Sequence, residues 1–400
     1  MVSTQQAERA LVRQIVWLSL AAFASAVAAR VSDPLLPQLA TSFAITAGEA
    51  AQAVSAFALA YGVLQLCYGP LGDRYGKYRV LTLATLASAA GALGSATAVG
   101  FHWLIAFRFL TGATAAAIIP LSMAWIADRV PYERRQHVLA YFLTGQIFGV
   151  IGGQMLGGIL ADLTGWRGAF WCMLGIFLIV ATLLLAELRR MPDIDSAHGL
   201  AAPQTPFLTR VAGILKAPWS WVVLSMVFAE GALLFGSLAF VPTYLHQRFG
   251  VSLTLAGTSM GVFGLGGLSY TSFARYFVRR LGERRLAAAG GGFLGLAFLI
   301  LLLGAHWLWV LPMAWCAGFG YYSLHNTLQI NATQMAPASR GTAVSLFASC
   351  FFLGQSAGVW AASIGIDHLG FLGVFAISAV LLPMVGAFFS ARLAKLQHRP

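Results

Sequence analysis

The chain has 400 residues, a formal net charge of +12 at pH 7 and a mean hydropathy of +0.77. Hydrophobic residues make up 59% and charged residues only 10%, whereas about 25% of a soluble domain is charged. This composition excludes a soluble protein. Apolar runs of about 20 residues recur along the whole length, each long enough to cross a bilayer. The chain is therefore predicted to be a polytopic α-helical membrane protein.

Proline, glycine and charged residues interrupt the apolar runs and divide the chain into twelve predicted spans, numbered here in chain order. Helices are expected because only helices and closed barrels satisfy their backbone groups in lipid, and the period-2 alternation of barrel strands is missing. The predicted spans cover residues 14–35, 48–70, 79–98, 102–127, 137–161, 167–187, 219–245, 253–277, 286–304, 307–334, 341–364 and 370–394.

The distribution of the 25 Lys and Arg residues predicts how the chain is oriented. Most of them lie in segments that share one side of the membrane if the N-terminus is inside, and only Arg167 and Arg248 lie on the other side. The positive-inside rule then makes both termini cytoplasmic. No basic stripe with interleaved aromatic residues is present, so no nucleic-acid partner is predicted.

A polar segment near the middle divides the chain into two halves. Residues 191–216 contain Asp193, Asp195, Pro203 and Pro206 and lack helical periodicity, so we expect a cytoplasmic linker between residues 1–190 and 217–400. The motif RYGKYR at 74–79 recurs 206 residues later as RLGERR. At an offset of 205, Arg135, Gly149, Asp162, Gly165 and Phe170 match Arg340, Gly354, Asp367, Gly370 and Phe375. Repeated halves are typical of secondary transporters.

The loop after span 2 carries the most informative motif, GPLGDRYGK from Gly69 to Lys77. With twelve spans and two halves, the chain resembles the major facilitator superfamily over nearly its whole length, and this loop is similar to the family signature G-x-L-a-D-R-x-G-R-K. Tyr78 stands where the last basic residue is usual. The resemblance implies an all-α polytopic membrane fold of twelve transmembrane helices in two pseudo-symmetric six-helix halves.

The resemblance also assigns this loop a role in the cytoplasmic gate. In the outward-open state it would hold the two halves together, with Asp73 facing the N-terminal end of span 11 near Gly341 and Thr342. A helix N-terminus attracts a carboxylate, which agrees with that role. The expected gate residues are Gly69, Asp73, Arg74, Gly76, Lys77, Asp128 and Arg129.

Two further motifs are similar to those of bacterial drug:proton antiporters in this family. Arg108 to Gly112 in span 4 matches R-x-x-x-G, whose arginine the resemblance links to proton coupling. Span 5 resembles the antiporter motif G-x-x-x-G-P-x-x-G-G, with Gln154 where proline is expected. Small residues at every fourth position also let two helices pack closely, so plain helix packing is the alternative. The motif glycines are Gly149, Gly153, Gly157 and Gly158.

Ionisable residues inside the spans are functional candidates because each costs about 2.5–3.5 kcal/mol on insertion scales. Arg30 and Asp33 lie in span 1, Arg108 in span 4 and Glu230 in span 7, which the resemblance places around one central cavity. Asp33 could carry the proton, with Arg108 or Arg30 near it in one state and apart in another; a fixed ion pair is the alternative. Glu230 has no basic neighbour in sequence. His325 in span 10 is a further candidate for proton coupling, and a hydrogen-bonded packing residue is the alternative.

Other polar and aromatic residues of the spans are expected to line the substrate cavity. Several of them share helix faces in span 10, where a polar face against lipid would be costly. The cavity candidates are Tyr61, Gln65, Gln146, Gln154, Tyr244, Trp315, Tyr322, Asn326, Gln329 and Gln355.

We expect a proton-coupled secondary transporter of the bacterial cytoplasmic (inner) membrane that works by alternating access and exports a small organic molecule in exchange for protons. A proton-coupled importer of a small metabolite and a transport-dead receptor stay open as alternatives. The sequence contains neither a nucleophile–base motif nor a P-loop, so an enzyme is not expected.

The expected partners are a small-molecule substrate, protons and the lipid bilayer, and the protein is expected to be monomeric. The four cysteines lie unpaired in apolar runs, so no cofactor, metal site or disulfide is predicted.

Overall fold

The structure is a computed structural model that describes residues 4–191, 194–195 and 206–397. Every regular element in these ranges is helical. The N-terminal half comprises Thr4–Arg30, the 3-10 turn Asp33–Leu35, Leu36–Phe43, Ala47–Ala50, Gln52–Tyr75, Lys77–Ala96, Phe101–Ala115, Ile118–Arg129, Tyr132–Thr164 and Trp166–Arg190. The C-terminal half comprises Phe207–Leu215, Pro218–Glu230, the π-helical turn Gly231–Phe235, Gly236–Leu238, Val241–Phe249, Leu253–Met260, Val262–Leu303, the 3-10 turn Trp307–Trp309, Val310–Gln334, the 3-10 turn Pro337–Ser339 and Arg340–Gln397.

Twelve membrane-crossing segments result from these helices. Nine stretches of the described chain are long and apolar enough to cross a membrane, and two of these are double. Leu253–Leu303 holds spans 8 and 9, and Arg340–Leu396 holds spans 11 and 12. Val310–Gln334, which carries the polar residues of the tenth predicted span, completes the set. The prediction of an all-α protein with twelve spans is confirmed.

Glycines with positive φ make the sharp reversals between spans at repeated positions. Gly76 and Gly282, 206 residues apart, have φ of 94° and 67° and separate spans 2 from 3 and 8 from 9. Gly165 and Gly370 have φ of 76° and 71° and separate spans 5 from 6 and 11 from 12. Residues with a Cβ rarely adopt this conformation, so the repeated glycines mark repeated turns. The internal repeat read from the sequence is thus also a repeat of backbone geometry.

The segment expected to be an irregular linker contains a helix, which corrects the sequence-based expectation. Phe207–Leu215 is an α-helix whose Ile214 is buried, with Val211 and Leu215 packed partly against the core of the C-terminal half. Residues at these spacings share one face of a helix, which explains why the segment folds against its neighbours. Ile194 and Asp195 contact the N-terminal half; residues 192–193 and 196–205 lie outside the described part.

The two halves are in contact at one end of the bundle and apart at the other. We call the end that holds Thr4, Gln397 and the Gly76 and Gly282 turns the basic end, and the other the far end. Spans 2 and 11 touch from the middle to the far end: Ser349 Oγ donates to Gly62 O at 2.6 Å and Ser356 Oγ to Ser55 O at 2.9 Å.

Towards the basic end the halves diverge. A Cβ added at Gly69 or at Gly341 would meet no atom within 4 Å, so the basic ends of spans 2 and 11 both face open space. Hydrogen bonds among the described residues join the halves in the middle and at the far end, whereas Gly69 and Gly341 border open space, so the halves are in closer contact at the far end.

Candidate functional site

Breaks in two helices place the charged residues at the centre of the bundle. Arg30 ends the first helix of span 1, and Asp33 begins the 3-10 turn that contains Pro34; Pro37 follows in the first turn of the next helix. In span 7, the α-helix ends at Glu230 and a π-helical turn follows over Gly231–Phe235. Single π turns occur often at functional sites. The break in span 1 lies where Arg30 meets the other half, and the break in span 7 lies where Glu230 meets span 10.

Arg30 joins the two halves through a layer of four side chains, here called the Arg30 layer: Arg30, Asp33, Gln154 and Gln355. Arg30 Nη2 donates to Gln355 Oε1 at 3.1 Å, which links span 1 to span 11. Gln154 Nε2 donates to Asp33 Oδ2 at 2.8 Å, which links span 5 to span 1. Arg30 Nη1 lies 3.9 Å from Asp33 Oδ2, within ion-pair range but beyond hydrogen-bonding distance.

The Arg30 layer is buried, and several of its polar atoms have no partner. The exposed fractions are 5% for Arg30, 0% for Asp33, 3% for Gln154 and 0% for Gln355. The atoms Arg30 Nη1, Asp33 Oδ1, Gln154 Oε1 and Gln355 Nε2 make no hydrogen bond. Buried polar atoms are nearly always hydrogen-bonded, so four unpartnered atoms in one layer are unusual.

Glu230 and His325 form a second polar pair, within the C-terminal half. His325 Nδ1 lies 2.7 Å from Glu230 Oε2, which joins spans 7 and 10. The Glu230 side chain is fully buried, whereas the His325 side chain is 15% exposed. Glu230 Oε1 makes no hydrogen bond. The pair can hold a proton between a carboxylate and an imidazole, and its histidine reaches accessible space.

Aromatic rings fill the space around both polar groups. The Arg30 guanidinium lies 3.9 Å from the centre of the Phe235 ring. Phe235 meets Tyr321 edge-on at 5.3 Å and Phe351 at 5.5 Å. The His325 ring packs on Tyr321 at 4.8 Å and on Phe351 at 4.9 Å. The centre of the protein therefore holds an aromatic cluster between one polar layer and one carboxylate–imidazole pair.

Arg108 does not contact Asp33 directly. Its Nε donates to Ala53 O at 3.2 Å and its Nη2 to Ala28 O at 3.0 Å, and its guanidinium lies over the Phe57 ring at 4.5 Å. These contacts join spans 1, 2 and 4 within the N-terminal half. In this arrangement Arg108 packs helices together, and Arg30 is the arginine that faces the other half.

Some of the remaining cavity candidates lie between the two halves, and others pack between helices of one half. Tyr61 stacks on Phe352 of the other half at 4.0 Å. Trp315 donates from Nε1 to Ser269 Oγ at 3.3 Å, between spans 10 and 8. Tyr244 packs against Phe375 and Phe249 in the core of the C-terminal half. Gln65 is buried, and four candidates are partly accessible: Gln146, Tyr322, Asn326 and Gln329.

The charged loop at the basic end forms contacts within its own half. Lys77 Nζ lies 2.5 Å from Asp128 Oδ2 and 3.7 Å from Asp73 Oδ1, so one lysine bridges both carboxylates. Asp73 is thus held by Lys77, and Gly341 at the start of span 11 faces open space. The contact expected between Asp73 and span 11 is not formed in this arrangement, in which the basic end is open; it stays a prediction for the opposite state.

The connection between the halves is attached to this loop by contacts that the sequence did not indicate. Asp195 accepts hydrogen bonds from the backbone nitrogens of Tyr78 at 3.0 Å and Arg79 at 3.1 Å, and so caps the start of span 3. Arg129 donates to Ile194 O and lies over the Trp125 ring. The sequence shows that Asp195 lies in a polar segment, but it does not show which groups its carboxylate contacts.

Span 5 contacts span 1 through three glycines and crosses to the other half at the fourth. A Cβ at Gly149 would lie 2.5 Å from Phe23 O, and one at Gly153 would lie 2.8 Å from Val27 O. Gly157 faces Val31 O in the same way. Gly158 instead faces Leu253 O at the start of span 8. Only a residue without a side chain fits these contacts, since backbone lies directly opposite.

Carboxylates hold the far end closed. Asp162 Oδ2 accepts from Thr254 N at 2.7 Å and Asp162 Oδ1 from Leu253 N at 3.3 Å, at the N-terminus of span 8. Thr46 Oγ1 donates to Asp367 Oδ2 at 3.4 Å, at the N-terminus of span 2. Both aspartates are repeat positions in the sequence, but no site role was predicted for either; their equal offset is the signal that could have indicated one.

The fold, with two halves around a polar centre, defines the chain as a secondary-transporter-like membrane protein. The sequence model of the Major Facilitator Superfamily matches residues 18–359, which is most of the chain. The chain belongs to this family. It is an integral membrane transporter and not an enzyme.

Relatives and solved structures agree with this assignment. The chain is 26% identical over 390 residues to the "Putative uncharacterized transporter YgaY" of Escherichia coli (strain K12), covering 92% of each protein. It is also 26% identical over 268 residues to the "Uncharacterized MFS-type transporter YwfA" of Bacillus subtilis (strain 168); this match covers 67% of the chain and 64% of that protein. The crystal structure of a D-xylose–proton symporter superposes with a TM-score of 0.74 at 15% identity, over 95% of this chain and 96% of that one, which shows a shared fold.

Proposed function

We propose that this transporter couples the movement of a small organic molecule to protons, with the Glu230–His325 pair as the proton-binding site. The observation that carries the proposal is the contact of 2.7 Å between a fully buried carboxylate and a partly exposed imidazole in the middle of the bundle. A buried carboxylate is costly in a membrane and is a functional candidate by default. A partly exposed neighbouring histidine gives the proton a path between solvent and Glu230.

Alternating access gives this pair its role. Residues 1–190 and 217–400 would move as two bodies joined by residues 191–216. If the basic end is cytoplasmic, as the positive-inside rule indicates, the present arrangement is inward-facing. Proton binding or release on the cytoplasmic side would then be possible through His325. The far-end contacts would open, and the Asp73 contact with span 11 would form, when the transporter faces outward.

Export in exchange for protons is the direction we propose. The glycine pattern of span 5 and the Arg108–Gly112 motif, both similar to those of drug:proton antiporters, support it. Asp33 and Arg30 are further coupling candidates because they lie in one layer with a loose ion pair of 3.9 Å. The bacterial relatives, together with the basic end, support placement in a bacterial cytoplasmic membrane with both termini inside. We propose a monomer as the working unit.

Import by proton symport is the second candidate, and two observations favour it. Gln154 stands where the antiporter motif has proline, and its side chain donates to Asp33 at 2.8 Å, a hydrogen bond that proline cannot make. The D-xylose–proton symporter is also among the solved structures with the same fold. A transport-dead receptor would bind a ligand without moving it.

Everted vesicles distinguish these proposals. Substrate-induced collapse of an inside-acid gradient is the result expected for antiport, and the same experiment with Glu230→Gln should give no collapse. The matched control is Glu8→Gln, since Glu8 pairs with Arg134 at the exposed basic end. Failure of acidification to drive uptake into the vesicles contradicts antiport. Intact ligand binding with no flux in either direction would identify a receptor.

A further inference from the structure

The four unpartnered atoms of the Arg30 layer are two donors and two acceptors. Arg30 Nη1 and Gln355 Nε2 can only donate hydrogen bonds, whereas Gln154 Oε1 can only accept and Asp33 Oδ1 accepts when the carboxyl group is charged. All four belong to side chains that are at least nine-tenths buried. A buried polar group that makes no hydrogen bond destabilises the structure. An apolar core without a ligand therefore leaves both the donors and the acceptors of this cluster without hydrogen-bond partners.

The chemistry of the side chains fixes which atoms stay free. A guanidinium has donors only, so the Gln355 amide must turn its oxygen to Arg30, which leaves the amide nitrogen without a partner. A carboxylate has acceptors only, so the Gln154 amide must turn its nitrogen to Asp33, which leaves the amide oxygen free. The donors thus lie at the Gln355 end of the layer and the acceptors at the Gln154 end.

The charges of the layer are only loosely paired with each other. Arg30 and Asp33 are 3.9 Å apart at their nearest ionic atoms, and a buried ion pair repays its desolvation only when its geometry is good and its other atoms are hydrogen-bonded. Arg30 Nη2 is occupied by Gln355 Oε1, and Asp33 Oδ2 by Gln154 Nε2. Each charge therefore keeps one free atom, a guanidinium nitrogen on one side and a carboxylate oxygen on the other.

We propose that the Arg30 layer binds the ammonium and carboxylate groups of a small zwitterion, of which an α-amino acid is the simplest kind. The carboxylate of the ligand accepts from Arg30 Nη1 and Gln355 Nε2, and its ammonium donates to Asp33 Oδ1 and Gln154 Oε1. This assignment deepens the transport function proposed above and depends on it. A simple carboxylate would leave the acceptors unpaired, and a simple amine would leave the donors unpaired.

The surroundings of the layer fit an apolar body on such a ligand. The Phe235 ring covers one face of the Arg30 guanidinium at 3.9 Å and contacts Tyr321 and Phe351. These rings lie between the layer and the Glu230–His325 pair. The two charged ends of the ligand would be held at the layer, and its hydrocarbon part would lie against the rings. Because Arg30 and Gln355 belong to opposite halves, a bound ligand would also bring the halves together.

Binding to the purified full-length protein in detergent tests the assignment, and it needs no proton gradient. Each standard α-amino acid is screened by thermal shift, and any amino acid that stabilises the protein is compared with its carboxamide and its N-acetyl derivative. We expect both derivatives to bind at least about tenfold more weakly, the ratio that corresponds to about 1.4 kcal/mol. Arg30→Gln should remove the preference for the free carboxylate, and Asp33→Asn the preference for the free ammonium. Arg13→Gln is the matched control, since Arg13 pairs with Glu187 at the basic end.

Three results would overturn the assignment. They are the absence of any stabilising amino acid, equal binding of the blocked derivatives, and unchanged preferences in both layer variants. The first result includes the case in which only water fills the layer. Loss of proton coupling in the vesicle experiment, with zwitterion binding intact, would instead contradict the proposed transport function and leave this site in place.

Discussion

Asp162 and Asp367 occupy equivalent positions in the two halves, 205 residues apart, and each places its carboxylate at the N-terminus of a helix from the other half. Asp162 caps span 8, and Asp367 accepts from Thr46, the N-cap residue of the helix that begins span 2. A negative charge at a helix N-terminus is stabilised by the free backbone N–H groups and by the helix dipole. The far end of the bundle is therefore closed by a repeated pair of interactions.

Removal of these carboxylates should open the far end. Asp162→Ala and Asp367→Ala each delete an interaction typical of helix capping, worth about 0.5–2 kcal/mol, so the ratio of far-end-open to far-end-closed protein should rise about two- to thirtyfold. The larger effect is expected for Asp162, which accepts two backbone hydrogen bonds. Distances between spin labels at the far ends of spans 2 and 8 measure the ratio. Glu8→Gln serves as the control, and unchanged distances in both variants would contradict a closing role.

Glu230→Gln should separate substrate exchange from proton coupling. The variant keeps the size of the side chain and removes the carboxylate that contacts His325 at 2.7 Å. We expect substrate exchange across the membrane to persist, while accumulation driven by a proton gradient falls to the level of passive equilibration. His325→Gln should show the same separation. Counterflow and gradient-driven uptake in proteoliposomes measure the two activities, and preserved pH dependence would remove Glu230 from the coupling path.

Asp73→Asn should impair transport without reducing expression. In the structure Asp73 is held by Lys77 and not by span 11, so its loss should leave the present arrangement stable. It should weaken the opposite state, where a helix-terminus interaction is worth about 0.3–1 kcal/mol, and slow transport about two- to fivefold. Initial transport rates normalised to membrane protein content provide the measurement. Rates equal to those of the wild type would rule out the proposed role of Asp73 in the gate.

Gly76→Ala should destabilise the start of span 3. Gly76 has φ of 94°, and its missing side chain leaves room for the Asp195 carboxylate, which accepts hydrogen bonds from Tyr78 and Arg79. A left-handed backbone costs a residue with a Cβ about 1–2 kcal/mol, and displacement of the cap would add about 1 kcal/mol. Thermal unfolding in detergent should show a lower midpoint than the wild type. Gly69→Ala is the control, since a Cβ there meets open space, and an equal fall in both variants would contradict this account.

Much of the fold of each half, including its repeated turns, could be predicted from the sequence. The offset that relates Gly165 to Gly370 in the sequence also relates their backbone conformations, because a reversal at positive φ requires glycine in both halves. The helix at Phe207–Leu215 was not predicted, because its amphipathic pattern is short and prolines precede it in the sequence. The buried charged residues at the centre of the bundle do not follow the repeat. Arg30 and Asp33 occur in one half, and Glu230 and His325 in the other.

The class of protein, the number of spans, the repeat and the ionisable residues inside the spans can be read from the residue pattern, because hydrophobic length, glycine and charge are local properties that a bilayer constrains directly. The tertiary structure alone decided the partners. Arg30 meets Gln355 across 325 positions of sequence and Glu230 meets His325 across 95, because the rotation of each helix about its axis and the closed far end set these contacts. Helical periodicity shows which residues share a face, but only packing decides what that face meets.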